Sequence, residues 1–216
     1  SSVNSIMSID LVVPKEVELP TLLDELRKLS WASADVLMAY ARGGEPPYGF
    51  PKSLTVEEGG DGPVSAADMA VNELLISGLK DNLAFKEWDI LSEETSKEKT
   101  FQQDNYKKDW CWILDPLDGT KDFLQGSENY AVHIALAYKK KPKIGIVLIP
   151  EKNELWFGIV GIGAWFENRD GSKNHFSFSD RLDISKLILV SSKNHQQSKL
   201  NNLLTTICFG ETKQIV

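Results

Sequence analysis

The sequence predicts an α+β fold in which helices pack on one layer of a mostly antiparallel sheet. Two observations lead there. Two stretches with helical spacing come first, and at least four consecutive strand-like runs joined by short turns follow them. From Pro20 to Arg42, residues Leu22, Leu26, Leu29, Val36 and Tyr40 recur at helical intervals, and Gly43-Gly44 supplies a stop. GGEPPYGFPK (43–52) and EEGGDGP (57–63) read as loops. Ser65 then opens a second helix with Ala67, Ala70, Val71, Leu74, Leu75 and Leu79 on one face. DILSE, WCWILD, YAVHIALAY, KIGIVLI, ELWFGIV and GAWFEN read as strands, separated by turns such as KKKPK, PEKN and NRDGS.

This pattern divides the chain. Residues 1–19 keep no steady period and read as a loosely attached N-terminal arm, and 20–183 form the α+β domain. LILVSS at 187–192, followed by a helical segment, begins something new. One strand and one helix cannot bury their own apolar faces, so 184–216 are expected to open a second, truncated α/β domain.

With 216 residues, 42% of them hydrophobic, the chain can build a substantial core. A net charge of -7 gives no footprint for a nucleic-acid polymer, whose phosphates need clustered Lys and Arg. The one basic run, Lys139 to Lys141 with Pro142 and Lys143, lies between apolar runs and reads as a solvated hairpin tip. Two cysteines, Cys111 and Cys208, are too few for a disulfide framework, which points to a reducing, cytoplasmic setting. No apolar run approaches the roughly 18 residues that span a bilayer, so no membrane partner is expected.

The chemistry concentrates in WCWILDPLDGTKDF, 110–123. A buried strand runs straight into Asp115 and Asp118, held where the chain leaves the core. Two carboxylates about 4 Å apart repel by roughly 4 kcal/mol at an effective dielectric near 20, a cost that a cation removes. Oxygen donors suit a hard ion such as Mg²⁺, and no His-Cys cluster competes for a softer one. LSEET (91–95) offers Glu93 and Glu94 if its strand neighbours the first.

Each residue also has a purely structural reading. Asp118-Gly119 is an ordinary turn dipeptide, Glu93-Glu94 a solvated strand end, and Ser65-x-x-Asp68 a helix-capping arrangement. His133 lies within an apolar strand and reads as a core histidine rather than a catalyst, and Cys111 as a small packed side chain. Two motif families fail outright. Placing Gly119 at position 6 of an EF-hand loop puts Leu114 at position 1, where an acid is required. Aligning Asp118-Gly119-Thr120 with the Asp-x-Asp-Gly-Thr of haloacid-dehalogenase-type phosphatases puts Pro116 at the nucleophile position.

PVSAAD (63–68), SEE (92–94) and DPLDGT (115–120), in that order, resemble the lithium-sensitive, Mg²⁺-dependent phosphatases of the inositol monophosphatase superfamily, and GSENYAVHIAL (126–136) resembles the strand that follows there. The resemblance covers roughly residues 20 to 210 and implies the layered αβαβα sugar-phosphatase fold. By the same analogy Glu93, Asp115 and the carbonyl of Leu117 hold one Mg²⁺, Asp115 and Asp118 share a second, and Asp68 reaches a third, weaker site. Thr120 and Glu93 orient and deprotonate the attacking water, and the N–H groups of Gly119 and Thr120 bind phosphate. Thr120-Lys121-Asp122-Phe123 is similar to the Thr-Lys-Glu-Phe of the 3'(2'),5'-bisphosphate nucleotidases, which favours the bacterial sulfur-assimilation reaction: hydrolysis of adenosine 3',5'-bisphosphate to AMP. An inositol monophosphatase or a fructose-1,6-bisphosphatase-like sugar phosphatase is the alternative, and a non-catalytic metal- or nucleotide-binding module the alternative of another class. Family members often form homodimers. The sequence departs from the family where EEGGDGP carries no lysine and where no Trp-Asp-x-Ala-Ala segment follows.

Overall fold

A computed structural model describes residues 12–53, 63–82, 87–93 and 108–175. Helix α1 spans Leu19–Ala41, with Pro20 in its first turn, where a missing N–H costs nothing. Leu22, Leu26, Ala34, Val36 and Leu37 are buried to within 1% exposure, so the helical spacing does mark the core face. Just past its end stands Gly43, whose φ of 65° lies in the left-handed region, and the Gly44 N–H donates to the Ala39 carbonyl at 2.8 Å. Helix α2 spans Pro63–Asp81. Gly78 lets it approach α1: a Cβ there would overlap the Leu29 side chain.

Seven strands form one sheet in sequence order: β1 Asp89–Ser92, β2 Trp110–Asp118, β3 Ala131–Tyr138, β4 Lys141–Ile149, β5 Glu154–Ile159, β6 Gly163–Asn168 and β7 Lys173–His175. β1 pairs with β2 in parallel, and every later pair is antiparallel. Trp112, Leu114, Val132, Ile134, Ile146, Leu148, Leu155 and Phe157 join the two helices in one core. On the opposite face Ile113, Ala135, Gly145, Gly158 and Ala164 stand in cross-strand register, and the neighbouring row holds Val147, Trp156 and Phe166, the last two stacked with ring centroids 4.9 Å apart. A six-residue helix, α3 (Thr120–Gln125), leads from β2 toward β3.

Several expectations need adjusting. The structure begins α2 two residues before Ser65, so Ser65 lies inside the helix rather than at its cap. Residues 12–18, expected to be loose, are partly tied down: the Val17 N–H donates to the Pro14 carbonyl at 3.0 Å, and Val12, Val13 and Val17 pack against the core. Lys139 and Lys140 do form an exposed tip with left-handed φ values of 47° and 66°, but Lys143 is only 3% exposed, because β4 has already rejoined the sheet there. β7 was not anticipated, being three polar residues whose only strand signal is the NRDGS turn before them. Residues 1–11, Glu94, Cys208 and the elements expected in 184–216 lie outside the described residues. No helix among the described residues is long and apolar enough to cross a membrane.

One ion pair crosses from helix to sheet inside this layer. The Arg27 guanidinium donates to both oxygens of Glu167, at 2.7 and 2.9 Å, and the Trp165 Nε1–H adds a third bond at 2.8 Å to a carboxylate whose side chain is 4% exposed. Burial works to raise the Glu167 pKa, but these hydrogen bonds and the guanidinium charge outweigh it and hold the carboxyl below its ordinary value. A depressed carboxyl contributes stability that is present above the unfolded value of about 4.3 and lost as pH falls below it. Arg27→Ala is therefore expected to cost about 3 kcal/mol in urea unfolding at pH 7, because it leaves a buried charge unpaired. Glu167→Gln should flatten the loss of stability between pH 5 and 3; an unchanged pH profile would contradict the assignment.

Candidate metal and phosphate site

The parallel pairing of β1 and β2 decides where the acids meet. Because Ser92 pairs with Leu114, the residues that follow on each strand, Glu93 and Asp115, emerge at the same edge of the sheet. Ser92 Oγ–H donates to Asn72 Oδ1 at 2.5 Å, which ties this edge to α2. Asp68 lies one helical turn before Asn72 and so shares its face. Asp68, Glu93, Asp115 and Asp118 are 4%, 8%, 1% and 8% exposed, so Glu93 is not a solvated strand end.

Strand alternation alone would send Asp115 and Asp118 to opposite faces, since they are three residues apart. A bulge prevents it. Asp115 stands opposite His133 and Asp118 opposite Ala131, so three steps along β2 match two along β3. Pro116 occupies the irregular stretch, where its missing N–H removes no regular ladder bond. The extra residue returns Asp118 to the side of Asp115. Gly119 follows with φ 88°, a left-handed conformation open to glycine, and turns the chain into α3. Phe123, 5% exposed, anchors α3 edge-on against Tyr130 with ring centroids 5.1 Å apart, and Asp122 accepts the Ser127 Oγ–H at 2.8 Å. Thr120 and Lys121 are left exposed beside the carboxylates.

Burial first, then the charges of Asp118, Glu93 and Asp68, push the Asp115 pKa well above its ordinary value. The other three acids therefore all act on Asp115. Neither oxygen of Asp115 and not Oδ2 of Asp118 has a hydrogen-bond partner, and the Leu117 N–H faces Asp115 without reaching hydrogen-bond geometry. Buried carboxylate oxygens without donors are what a divalent cation satisfies, so the residues present fit a metal.

The structure adds one residue that the sequence reading set aside. His133, fully buried, places Nε2 3.9 Å from Asp118 Oδ2, and one donor atom each of Asp115, Asp118 and His133 lie within 4.8 Å of one another. His133 is the buried strand histidine that the sequence suggests, and the structure adds its place beside the acids. The signal was the cross-strand register, which becomes visible only once the bulge is placed. Cys111 is a small packed side chain, as expected, fully buried with its Sγ 3.2 Å from the Trp112 carbonyl.

Comparison with known proteins follows the same outline. The profile of the inositol monophosphatase family matches residues 22–214. The 3'(2'),5'-bisphosphate nucleotidase CysQ of Escherichia coli K12 is 27% identical over 194 residues, covering 90% of this chain and 72% of that protein. The bifunctional phosphatase IMPL2 of Arabidopsis thaliana is 33% identical over 134 residues, 62% of this chain and 34% of that one. Among solved structures, CysQ from Bacteroides thetaiotaomicron superposes with a TM-score of 0.51 at 22% identity, covering 79% of this chain and 57% of its own. An inositol monophosphatase from Zymomonas mobilis also gives 0.51, at 21% identity over 69% and 51%. The fold is shared, and this chain spans about half the length of those structures.

The unpaired oxygens make a prediction. Asp115→Asn removes a buried charge held against three others, so without divalent ions the variant should melt several degrees above the wild type, about 1–2 kcal/mol more stable. Millimolar Mg²⁺ should raise the melting temperature of the wild type and leave the variant nearly unmoved. A variant that melts lower in the presence of chelator would contradict the reading.

Proposed function

Because the chain belongs to the inositol monophosphatase family, we propose that it is a metal-dependent phosphatase of small phosphorylated substrates, and that its substrate is adenosine 3',5'-bisphosphate, cleaved to AMP and phosphate. The observation that carries this reading is the pair of buried carboxylates Asp115 and Asp118 held within ligand distance of each other, with Glu93 and Asp68 buried close enough to act on Asp115. Glu93, Asp115 and the Leu117 carbonyl are an oxygen-only set suited to Mg²⁺; Asp115 and Asp118 face a second position, and Asp68 serves a third. Divalent ions bound there would offset the carboxylate repulsion, polarise a phosphate oxygen and lower the pKa of a water.

The chain's own groups do the rest. The Thr120 hydroxyl and the Glu93 carboxylate orient the attacking water, and Glu93 takes its proton. The N–H groups of Gly119 and Thr120 open α3 with no preceding turn of helix to occupy them, which leaves them for phosphate oxygens. Substrate choice rests on Thr120-Lys121-Asp122-Phe123. Asp122 and Phe123 hold the short helix in place, and Lys121 remains the exposed cation for the second phosphate of a bisphosphate. The nucleotidase names of the CysQ relatives agree with that choice.

Phosphate release at millimolar Mg²⁺ from adenosine 3',5'-bisphosphate, inositol 1-phosphate and fructose 1,6-bisphosphate tests the reading. The nucleotide should be preferred, and Lys121→Ala should raise KM for it without changing KM for inositol 1-phosphate. Asp118→Asn should lower turnover on the order of a thousandfold while the fold persists. Preference for inositol 1-phosphate would overturn the substrate, and full activity in Asp118→Asn the metal site.

A further inference from the structure

Glu151 has no place in the proposed reaction, yet it gathers bonds from two other parts of the fold. It stands on a single 3₁₀ turn, Pro150–Lys152, between β4 and β5. There Oε1 accepts the Tyr130 hydroxyl at 2.6 Å, while the Arg42 guanidinium, just past α1, reaches Oε1 at 3.3 Å and Oε2 at 3.0 Å. Tyr130 is 1% exposed, and its ring meets that of Phe123 edge-on. Phe123 is the one buried residue of α3. A helix of six residues is too short to hold itself in water, so the placement of α3 depends on that ring contact and on the Asp122–Ser127 bond. Burial first, and then the hydrogen bond to Glu151, raise the Tyr130 pKa well above its ordinary value, so the hydroxyl stays a donor at neutral pH.

We propose that Glu151 is a positioning residue for the phosphate-binding end of α3, acting through the Tyr130 hydroxyl and the Tyr130–Phe123 ring contact, with Arg42 holding Glu151 in turn. The last link is a backbone one. The Phe123 N–H donates to the Gly119 carbonyl at 2.9 Å, so the ring that Tyr130 fixes and the glycine that opens the helix belong to one hydrogen-bonded turn. Fixing Tyr130 therefore fixes the direction of the Gly119 and Thr120 N–H groups and of the Thr120 hydroxyl. Donors aimed at a phosphate lose their hold steeply as distance and angle drift. The acids stand on α2, at the end of β1 and on β2, outside this chain of contacts, so their hold on a divalent ion does not depend on Glu151. The inference rests on the phosphatase reading in taking α3 as the element that binds phosphate.

Amide hydrogen exchange, Mg²⁺ titration and phosphate release test it together. In Glu151→Leu the amides of 119–127 should exchange about tenfold faster, the scale of one lost hydrogen bond, while those of α2 and β6 change by less than about twofold. Calorimetric Mg²⁺ affinity should stay within about twofold, and kcat/KM for adenosine 3',5'-bisphosphate should fall about tenfold. Glu151→Gln still accepts the Tyr130 hydroxyl and should restore most of both losses. Tyr130→Phe keeps the ring on Phe123 and removes the donor, so combining it with Glu151→Leu should cost no more than Glu151→Leu alone. Faster exchange throughout the fold, weaker Mg²⁺ binding, unchanged exchange at 119–127, or a Glu151→Gln as impaired as Glu151→Leu overturns the positioning role and leaves the phosphatase reading intact. A wild type that releases no phosphate from any ester overturns the phosphatase reading, and the positioning role falls with it. Where Glu151→Leu does not fold, Tyr130→Phe carries the same comparison.

Discussion

One extra residue in β2 is the constraint on which the site depends. Without the irregularity around Pro116, the two-residue period of a strand would put Asp115 and Asp118 on opposite sides of the sheet, and no ion could touch both. With it, the carboxylates share a side, Gly119 is free to turn, and α3 begins where its first N–H groups adjoin the acids. The parallel partner β1 brings Glu93 to the same edge, and α2 closes it with Asp68. Substitutions that preserve this register leave the arrangement of the acids intact; one that regularises β2 dismantles it.

Gathering four acids at a buried edge opposes stability. Burial first, and then repulsion among them, raises the affinity of Asp115 for a proton. The surrounding layer offsets the cost by conventional means: a helix–sheet core of large aliphatic and aromatic side chains, and the Arg27–Glu167 clamp between α1 and β6. The clamp shows the contrast within one molecule. There a buried carboxylate has five-donor arginine chemistry and an indole N–H as partners, whereas Asp115 has neither.

Most of the fold was legible because its signals are local. Helical spacing in α1, apolar runs of strand length and Gly- or Lys-rich turns each act over a few residues, and α1, α2 and the first six strands fall close to where these signals place them. The site was legible as a set of residues, Asp115, Asp118 and Glu93 at strand ends, but not as a geometry. The facing of Asp115 and Asp118 depends on a bulge that their own spacing contradicts, and His133 meets them only through a register between strands. Lys143 was missed for a related reason: in a basic run its neighbours Lys139 and Lys140 are solvated, and only the resumption of β4 buries it. β7 carries no hydrophobic period and owes its place to pairing with β6.

The far end of β2 has a spectroscopic consequence. Trp88, just before β1, stacks on Trp110 and Trp112 with centroids 5.5 and 5.7 Å apart, and Trp110 meets Tyr138 at 4.5 Å. Indoles this close couple their excited states, so the pairing of β1 with β2 carries its own optical signature. Trp112, the nearest indole of the cluster, lies three residues from Asp115, roughly 10 Å along the strand, far enough that an ion entering the site leaves the chromophores unquenched by contact. Circular dichroism from this cluster can therefore follow the docking of β1, the strand that delivers Glu93, separately from the occupancy of the carboxylates it helps to assemble.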